Sequence, residues 1–467
     1  MREFEDNYRE EIKELVDQFE AMRCGQSVHL EEPDFEELAD YFEDSGKSEK
    51  AMEVLDYAVQ RFPFSAVFLV HKAALLSDML KPDESMLLLE KAEAMDSGDS
   101  DIYFLKADIF VSKGMHQQAI DALSKASEIC PPEELADVYM NMADIYEDWE
   151  KFNEVIFWLT KTLELNPAHE EALNRMWFCV KILESYEESI LFHEKFIDAN
   201  PYCYMAWHNL ANAYAGKGDL EKAMSAFDFV FAINDEYEYA HRDCGHLHYR
   251  LGSYQKAADH LLLALGLSKP YKELYFTLGL CYEHLNHYSR ARYFLRKAVN
   301  LDPNFSEAFF KTGDCYKAEF NWQHALISYQ RAVKQNEENH EYHAALAQTY
   351  YQVDEMNHAM EAYKKAIRLK PDMMIYRIEL SKYEFENGDV DEAMLTIDKG
   401  EDACGKNSCF DYLRSAFLFS TGKRKQAEEF LERGLIADYN GHILMYEIVN
   451  HLENDQEITR IIEQYKS

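Results

Sequence analysis

Basic residues are scarce in this chain. Its 467 residues hold 48 lysines and arginines against 86 aspartates and glutamates, a formal charge of −38. A field of that sign repels phosphate backbones and anionic lipid surfaces, which argues against nucleic acid and membranes as partners. Long apolar runs are missing too, with no stretch of the roughly eighteen apolar residues that a membrane-spanning helix needs. The first residues, MREFEDNYREEIKEL, lack the basic start and the apolar segment of a secretory leader. Cysteine is unpatterned: nine residues, an odd number, are scattered from Cys24 to Cys409. No disulfide framework follows from that spacing, and the expected location is reducing, cytoplasmic and soluble.

Catalytic signatures are equally absent. The chain has no phosphate-binding glycine loop, no GxSxG nucleophile turn and no HExxH motif. His241, Arg242 and Asp243 spell the tripeptide of a kinase catalytic loop, but no glycine-rich loop or DFG accompanies them. Acids are plentiful, and on a solvated surface pairs of them are no argument for acid–base chemistry. The expectation is a protein that is not an enzyme and takes no cofactor.

What the chain has is apolar side chain at helical spacing, 47% hydrophobic and 14% aromatic, which is ample for a packed core. Between Met205 and Asn234, Trp207, Leu210, Ala211 and Tyr214 share one helical face. Ala223, Phe227 and Val230 share another, with Gly218 at the turn between. This is a helical hairpin, and neither helix can bury its stripe without like neighbours. The chain supplies them. Ala51, Ser85 and Ala119 fall 34 apart, and Val155 follows after 36. Ser189, Ala223, Ala257, Ala291, Ala325, Ala359, Ala393 and Ala427 then follow at intervals of 34, and Ile461 continues the count. The two-residue slip falls in the Cys130, Pro131, Pro132, Glu133, Glu134 loop, where an insertion disturbs least. Pro63, Pro131, Pro167, Pro201, Pro303 and Pro371 sit where hairpins end. Ahead of the array, Phe4, Tyr8, Ile12, Leu15, Val16, Phe19 and Met22 stripe an acidic helix suited to cap one end.

At these positions the sequence resembles the tetratricopeptide repeat proteins, whose unit is a helix-turn-helix of 34 residues. Trp207, Leu210, Tyr214, Gly218, Ala223 and Phe227 carry the pattern in one repeat. Tyr275, Leu278, Gly279, Tyr282, Ala291, Ala298 and Pro303 carry it in a second, and Leu346, Ala347, Tyr350, Ala359, Tyr363, Ala366 and Pro371 in a third. The resemblance implies an all-α, right-handed α-solenoid of about twelve to thirteen repeats with capping helices. Residues 1–31 are then a capping helix and linker, 32–441 twelve repeats, and 442–467 a truncated repeat closing the other end.

The resemblance also implies a concave groove lined by the first helix of each repeat. Opposite the Trp207 face lie Met205, His208, Asn212 and Ala215. The same offsets along the chain give Asn174, Phe178, Lys181, His208, Asn212, Arg242, His246, Tyr249, Phe276 and Phe310 as a candidate groove for a peptide or protein partner. Packing of Phe276 and Phe310 against the following first helix is the competing reading. Glu36, Asp40, Glu43, Asp44, Asp101, Asp108, Asp137, Asp144, Glu147 and Asp148 occupy these offsets in the first repeats. They form either an acidic channel that steers a basic partner or a face that only keeps the protein soluble. Family members that grip a carboxylate tail use lysine, arginine and asparagine; after His208 and Asn212 this chain offers Asp243, Glu273 and Thr277, which argues against that ligand.

His241, Cys244 and His248 share a helical face at metal-ligand spacing. They fall on the positions of Trp207, Leu210 and Tyr214 one repeat earlier, and no fourth ligand stands near in sequence. They are read as core, with no metal site expected. The function expected is a non-catalytic interaction scaffold or adaptor; the alternative is a sensor whose superhelix changes pitch on binding a peptide or small ligand.

Overall fold

The computed structural model describes residues 2–466, with side chains from Ile12 onward. Phe4 and Tyr8 of the amino-terminal stripe lie outside the described side chains, whereas Ile12 and Phe19 are buried as the stripe requires. All regular structure among the described residues is helical. The chain falls into two compact units that divide between Asp235 and Glu236, at a junction between hairpins.

The first unit begins with the helix Arg2–Arg23 and continues with six hairpins, from Glu32–Asp44 with Ser48–Arg61 to Tyr204–Lys217 with Leu220–Ile233. The second unit has six more, from Glu238–Arg250 with Tyr254–Leu267 to Ser408–Ser420 with Arg424–Ala437. Two shorter helices follow, Ile443–Ile448 and Gln456–Gln464. Within each unit every helix packs on the next, which is the all-α solenoid arrangement that a repeated amphipathic hairpin demands.

In all but one hairpin the residue that opens the second helix is where the two helices meet; the second helix Tyr186–Ala199 packs instead mainly on Tyr204–Lys217. All twelve of these residues, from Ala51 to Ala427, are buried. At Ser85 the added hydroxyl is satisfied by donating to the Ala73 carbonyl at 2.6 Å. The approach is close from the other side as well: a Cβ on Gly279 would lie 2.7 Å from Cγ of the fully buried Leu295. The count breaks at the end of the chain. Ile461 is only half-buried, and Ile458 and Ile462 fill the core instead. The reason is that residues 439–454 fold into short helical pieces rather than a full first helix, so the last helix starts out of phase.

The turns repeat as strictly as the seams. Gly46, Leu80, Gly114, Glu150, Glu184, Gly218, Gly252, Asn286, Phe320, Asp354, Gly388 and Gly422 all have positive φ. Glycine marks this place in only half of the hairpins, because the turn needs a left-handed residue whatever its side chain. Leu80 adopts φ 59° while its side chain is 88% exposed, so little packing offsets the strain. Leu80→Gly is expected to raise stability in urea unfolding by about 0.5–1 kcal/mol; a loss would show that the exposed side chain contributes more than the backbone strain removes.

His193, on the helix Tyr186–Ala199, is fully buried. Its Nδ1 donates to the Ser189 carbonyl at 2.8 Å, and burial pushes its pKa down to about 4 from 6.5. The unfolded chain therefore takes up this proton first, and stability falls as pH drops from 6.5 towards 4. Between pH 7 and 5 the unmodified protein is expected to lose about 2 kcal/mol more than His193→Leu. Equal losses in the two proteins would remove His193 from the acid sensitivity.

Candidate functional site

The first helices divide the expected groove into parts that are open and parts that are filled. On Glu170–Leu183, Asn174, Phe178 and Lys181 share one face and are exposed, Phe178 to 51%. One hairpin later the expectation fails. Met205 and His208 are each only 5% exposed, and His208 lies against Phe227 with a ring nitrogen 3.0 Å from Asn212 Nδ2. Asn212 is half-buried.

In the second unit Arg242, His246 and Tyr249 share a face of Glu238–Arg250 and are half-buried. The Arg242 guanidinium bonds Asp243 at 2.8 Å and lies 5.0 Å over the Tyr239 ring. Burial lowers the pKa of His246, with Asp243 working the other way. The Tyr249 hydroxyl is 3.3 Å from Nε2 of His284. Phe276 meets Phe305 at 4.9 Å between ring centroids, and Phe310 stacks on Tyr342 at 4.8 Å. The two phenylalanines thus pack against the hairpin that follows and are half-buried. A first helix has neighbours on more than one side, so a large side chain opposite the hairpin core reaches the next helix before it reaches solvent.

The open part lies at the acidic beginning. Glu36 and Asp40 on Glu32–Asp44, His71 on Ala66–Asp78, and Asp99 with Asp101 at the start of Ser100–Ser112 surround a concavity of about 570 Å³. Its floor is apolar, built from Val67, Val70, Ala74, Phe104 and Leu105, and Val67 is 49% exposed. His71 is the base among these acids, with Nε2 3.0 Å from Glu43 and 3.6 Å from Asp40. Asp99 caps its helix by accepting from the Asp101 amide at 3.0 Å, and burial raises its pKa. Burial also raises that of Glu43, which His71 partly offsets. Burial disfavours the charged form of these two carboxylates, and a nearby cation would favour it.

The acids were legible at the groove offsets, and the apolar floor was not. The same offsets that select Asp101 and Glu36 also select Val67, Val70 and Phe104. Farther on, Arg175 ties Asp144 to Glu147, the latter at 2.6 Å, so part of the acidic face is already neutralised.

A second concavity, about 790 Å³, lies in the second unit between Tyr288–Leu301, Ser306–Ala318 and Trp322–Gln335. Arg292, Arg296 and Arg331 line it together with Tyr293, Phe309, Tyr316 and Ile327. Arg292 bonds Glu319 at 2.6 Å and lies 4.3 Å over Tyr316, while Arg331 lies 5.9 Å over Phe309. The sequence carried a signal for it: Tyr288–Leu301 has four bases and no acid in a chain of charge −38.

His241, Cys244 and His248 are buried, as their register required. The structure adds His260 from the facing helix Tyr254–Leu267, the ligand absent from the local sequence, so the residues that could hold a metal are Cys244, His248 and His260. No helix of the described residues is long and apolar enough to cross a membrane.

Comparison with known proteins places these hairpins. Tetratricopeptide repeat models match residues 100–133, 136–169, 206–234 and 340–373, and a second model of that repeat matches 272–305. The mitochondrial import receptor subunit TOM70 of Rattus norvegicus is 37% identical over 73 residues, 15% of this chain and 12% of that protein. Cell division cycle protein 27 homolog A of Arabidopsis thaliana is 22% identical over 135 residues, 29% of this chain and 17% of that protein. The chain thus spans a small part of the curated relatives it matches. The solved C-terminal part of a TPR repeat-containing protein from Cytophaga hutchinsonii aligns with 15% identity and a TM-score of 0.46, covering 54% of this chain and 97% of that one. Five hairpins are matched directly, and the others share their length, buried seam residue and left-handed turn. On that ground the chain belongs to the tetratricopeptide repeat proteins.

Proposed function

We propose that the protein is a non-catalytic interaction scaffold that takes a basic, extended segment of a partner in the acidic groove of its first repeats. The observation that carries this reading is the concavity in which Glu36, Asp40, Asp99 and Asp101 ring an apolar floor of Val67, Val70, Phe104 and Leu105. Carboxylates around apolar contacts suit a chain whose side chains alternate between cation and hydrocarbon, because each kind meets its complement. Asn174, Phe178 and Lys181 are open on the same unit and extend the candidate contact set. Nucleic acid and lipid surfaces are disfavoured by the charge of −38. We also place the protein in the cytoplasm, a reading that its odd number of cysteines, scattered without framework spacing, supports.

The test is binding of a labelled extended peptide that alternates lysine and leucine, followed by fluorescence anisotropy. Asp40→Asn combined with Asp101→Asn is expected to weaken it at least about tenfold and to flatten its salt dependence. Unchanged affinity in the double variant would overturn the groove assignment.

A second reading rests on the arginine-lined concavity of the second unit, whose polarity is opposite. An acidic segment with an aromatic residue would pair with Arg296 and Arg331 while stacking on Tyr293 or Phe309. The protein is then an adaptor for two partners of opposite charge. Arg296→Glu with Arg331→Glu is expected to abolish binding of a glutamate- and phenylalanine-containing peptide while leaving the lysine peptide's affinity unchanged. Loss of both together, or of neither, would rule the second reading out.

A further inference from the structure

One hairpin has had its core chemistry replaced. In the hairpin Lys272–His284 with Tyr288–Leu301, the space between the helices is filled by Tyr275, Leu278, Tyr282 and Phe294. Phe294 stacks on Tyr275 and Tyr282 at 6.3 and 5.5 Å between ring centroids. The four equivalent positions one repeat earlier are His241, Cys244, His248 and His260. Their rings occupy the same arrangement, with His260 at 5.3 Å from His241 and 5.5 Å from His248. Three aromatic hydrocarbon or phenol rings and an aliphatic side chain have become three imidazoles and a thiol, all at once. For packing alone the exchange is unfavourable relative to that hairpin, since imidazoles carry polar nitrogens into a place that there holds mainly carbon.

The geometry brings the polar atoms together. Cys244 and His248 are four apart on one helix, so their side chains project from the same face one turn apart. His260 comes from the antiparallel partner. The sulfur of Cys244 and a ring nitrogen from each of the two histidines lie within 4.8 Å of one another. Nδ1 of His241 is 3.1 Å from Nδ1 of His260. In a tetrahedral site with bonds of about 2.0–2.3 Å the ligand atoms stand about 3.5 Å apart, so small side-chain rotations close the set. Cys244 is fully buried and His241 and His248 nearly so, while His260 is half-buried and leaves an approach from solvent.

We infer that Cys244, His248 and His260 bind a zinc-class divalent cation, with His241 taking the fourth position beside His260. One soft thiolate and three borderline imidazoles select zinc, or cobalt in its place, over the hard cations that prefer oxygen. On binding, the Cys244 thiol gives up its proton to solvent and the histidines coordinate as neutral rings. The ion bridges both helices of one hairpin through their side chains. It therefore stabilises that hairpin in the folded state, where the ligands are together, and not in the unfolded chain, where they are apart. This is a site additional to the partner surfaces and independent of them.

The experiment uses the full chain freed of metal by chelator and titrated with Co²⁺ alone, then with Zn²⁺. The expected result is about one Co²⁺ bound per chain with a thiolate-to-cobalt charge-transfer absorption, bleached by Zn²⁺, and a zinc-dependent rise in the thermal midpoint. Cys244→Ser is expected to abolish the charge-transfer band and to weaken Zn²⁺ binding more than tenfold. His260→Gln, changed at a half-buried position that tolerates it, weakens binding while keeping the band. Cys281→Ser, at a buried thiol in the next hairpin, leaves both as they were. Should Cys244→Ser fail to fold by circular dichroism, the His260→Gln titration and the zinc-dependent midpoint of the unmodified chain decide the matter. A folded chain without the band, a band that survives Cys244→Ser, or a midpoint indifferent to Zn²⁺ would each overturn the assignment and leave a hydrogen-bonded histidine cluster.

Discussion

The structure depends on how closely two helices approach at the first turn of each second helix. A small residue there lets the backbones come near enough for stripes such as Leu210, Ala211, Tyr214 on one helix and Phe227, Val230 on the other to close over each other. All twelve hairpins share the left-handed turn, and within each unit all but one use the same contact; the exception is Glu170–Leu183 with Tyr186–Ala199, whose second helix packs mainly on Tyr204–Lys217. Stability is then gathered locally, between neighbours, and no residue far along the chain is needed to hold a given hairpin.

This regular core leaves the surface chemistry free to vary from hairpin to hairpin. Acids gather around an apolar floor in the first three hairpins, and arginines gather with aromatics where the helices 288–301 and 322–335 flank a first helix. One seam has even exchanged its aromatic filling for imidazoles and a thiol without altering the helix lengths around it. A repeat fold tolerates such replacements because each is confined to one unit and its neighbours, so a binding surface or an ion site can be introduced without rebuilding the rest.

The candidate surfaces were only partly legible in the sequence. Helical phase put Glu36, Asp40 and Asp101 on one side of the first helices, where they line a concavity, and put His241, Cys244 and His248 inside. It did not foresee that His208 is buried or that Phe276 and Phe310 meet the following hairpin, because phase within one helix says which side faces away from its own partner and nothing about the next hairpin. For the same reason His260 was passed over. Its neighbours in sequence, Asp259 and Leu261, give no hint that it meets three residues from the preceding helix.

By itself the sequence determined the hairpin, its period, the buried seam from Ala51 to Ala427 and hence the family, since all of these follow from spacing along a helix of known pitch. Tertiary structure decided everything that requires two elements at once. It showed which large side chains on a first helix are covered by the next hairpin and where acids meet an apolar floor. It also showed how the last helix falls out of register, with Ile458 and Ile462 inside in place of Ile461. The physical reason is that periodicity is a property of one helix, whereas exposure and ligand geometry are set by distances between helices, which the period alone does not contain.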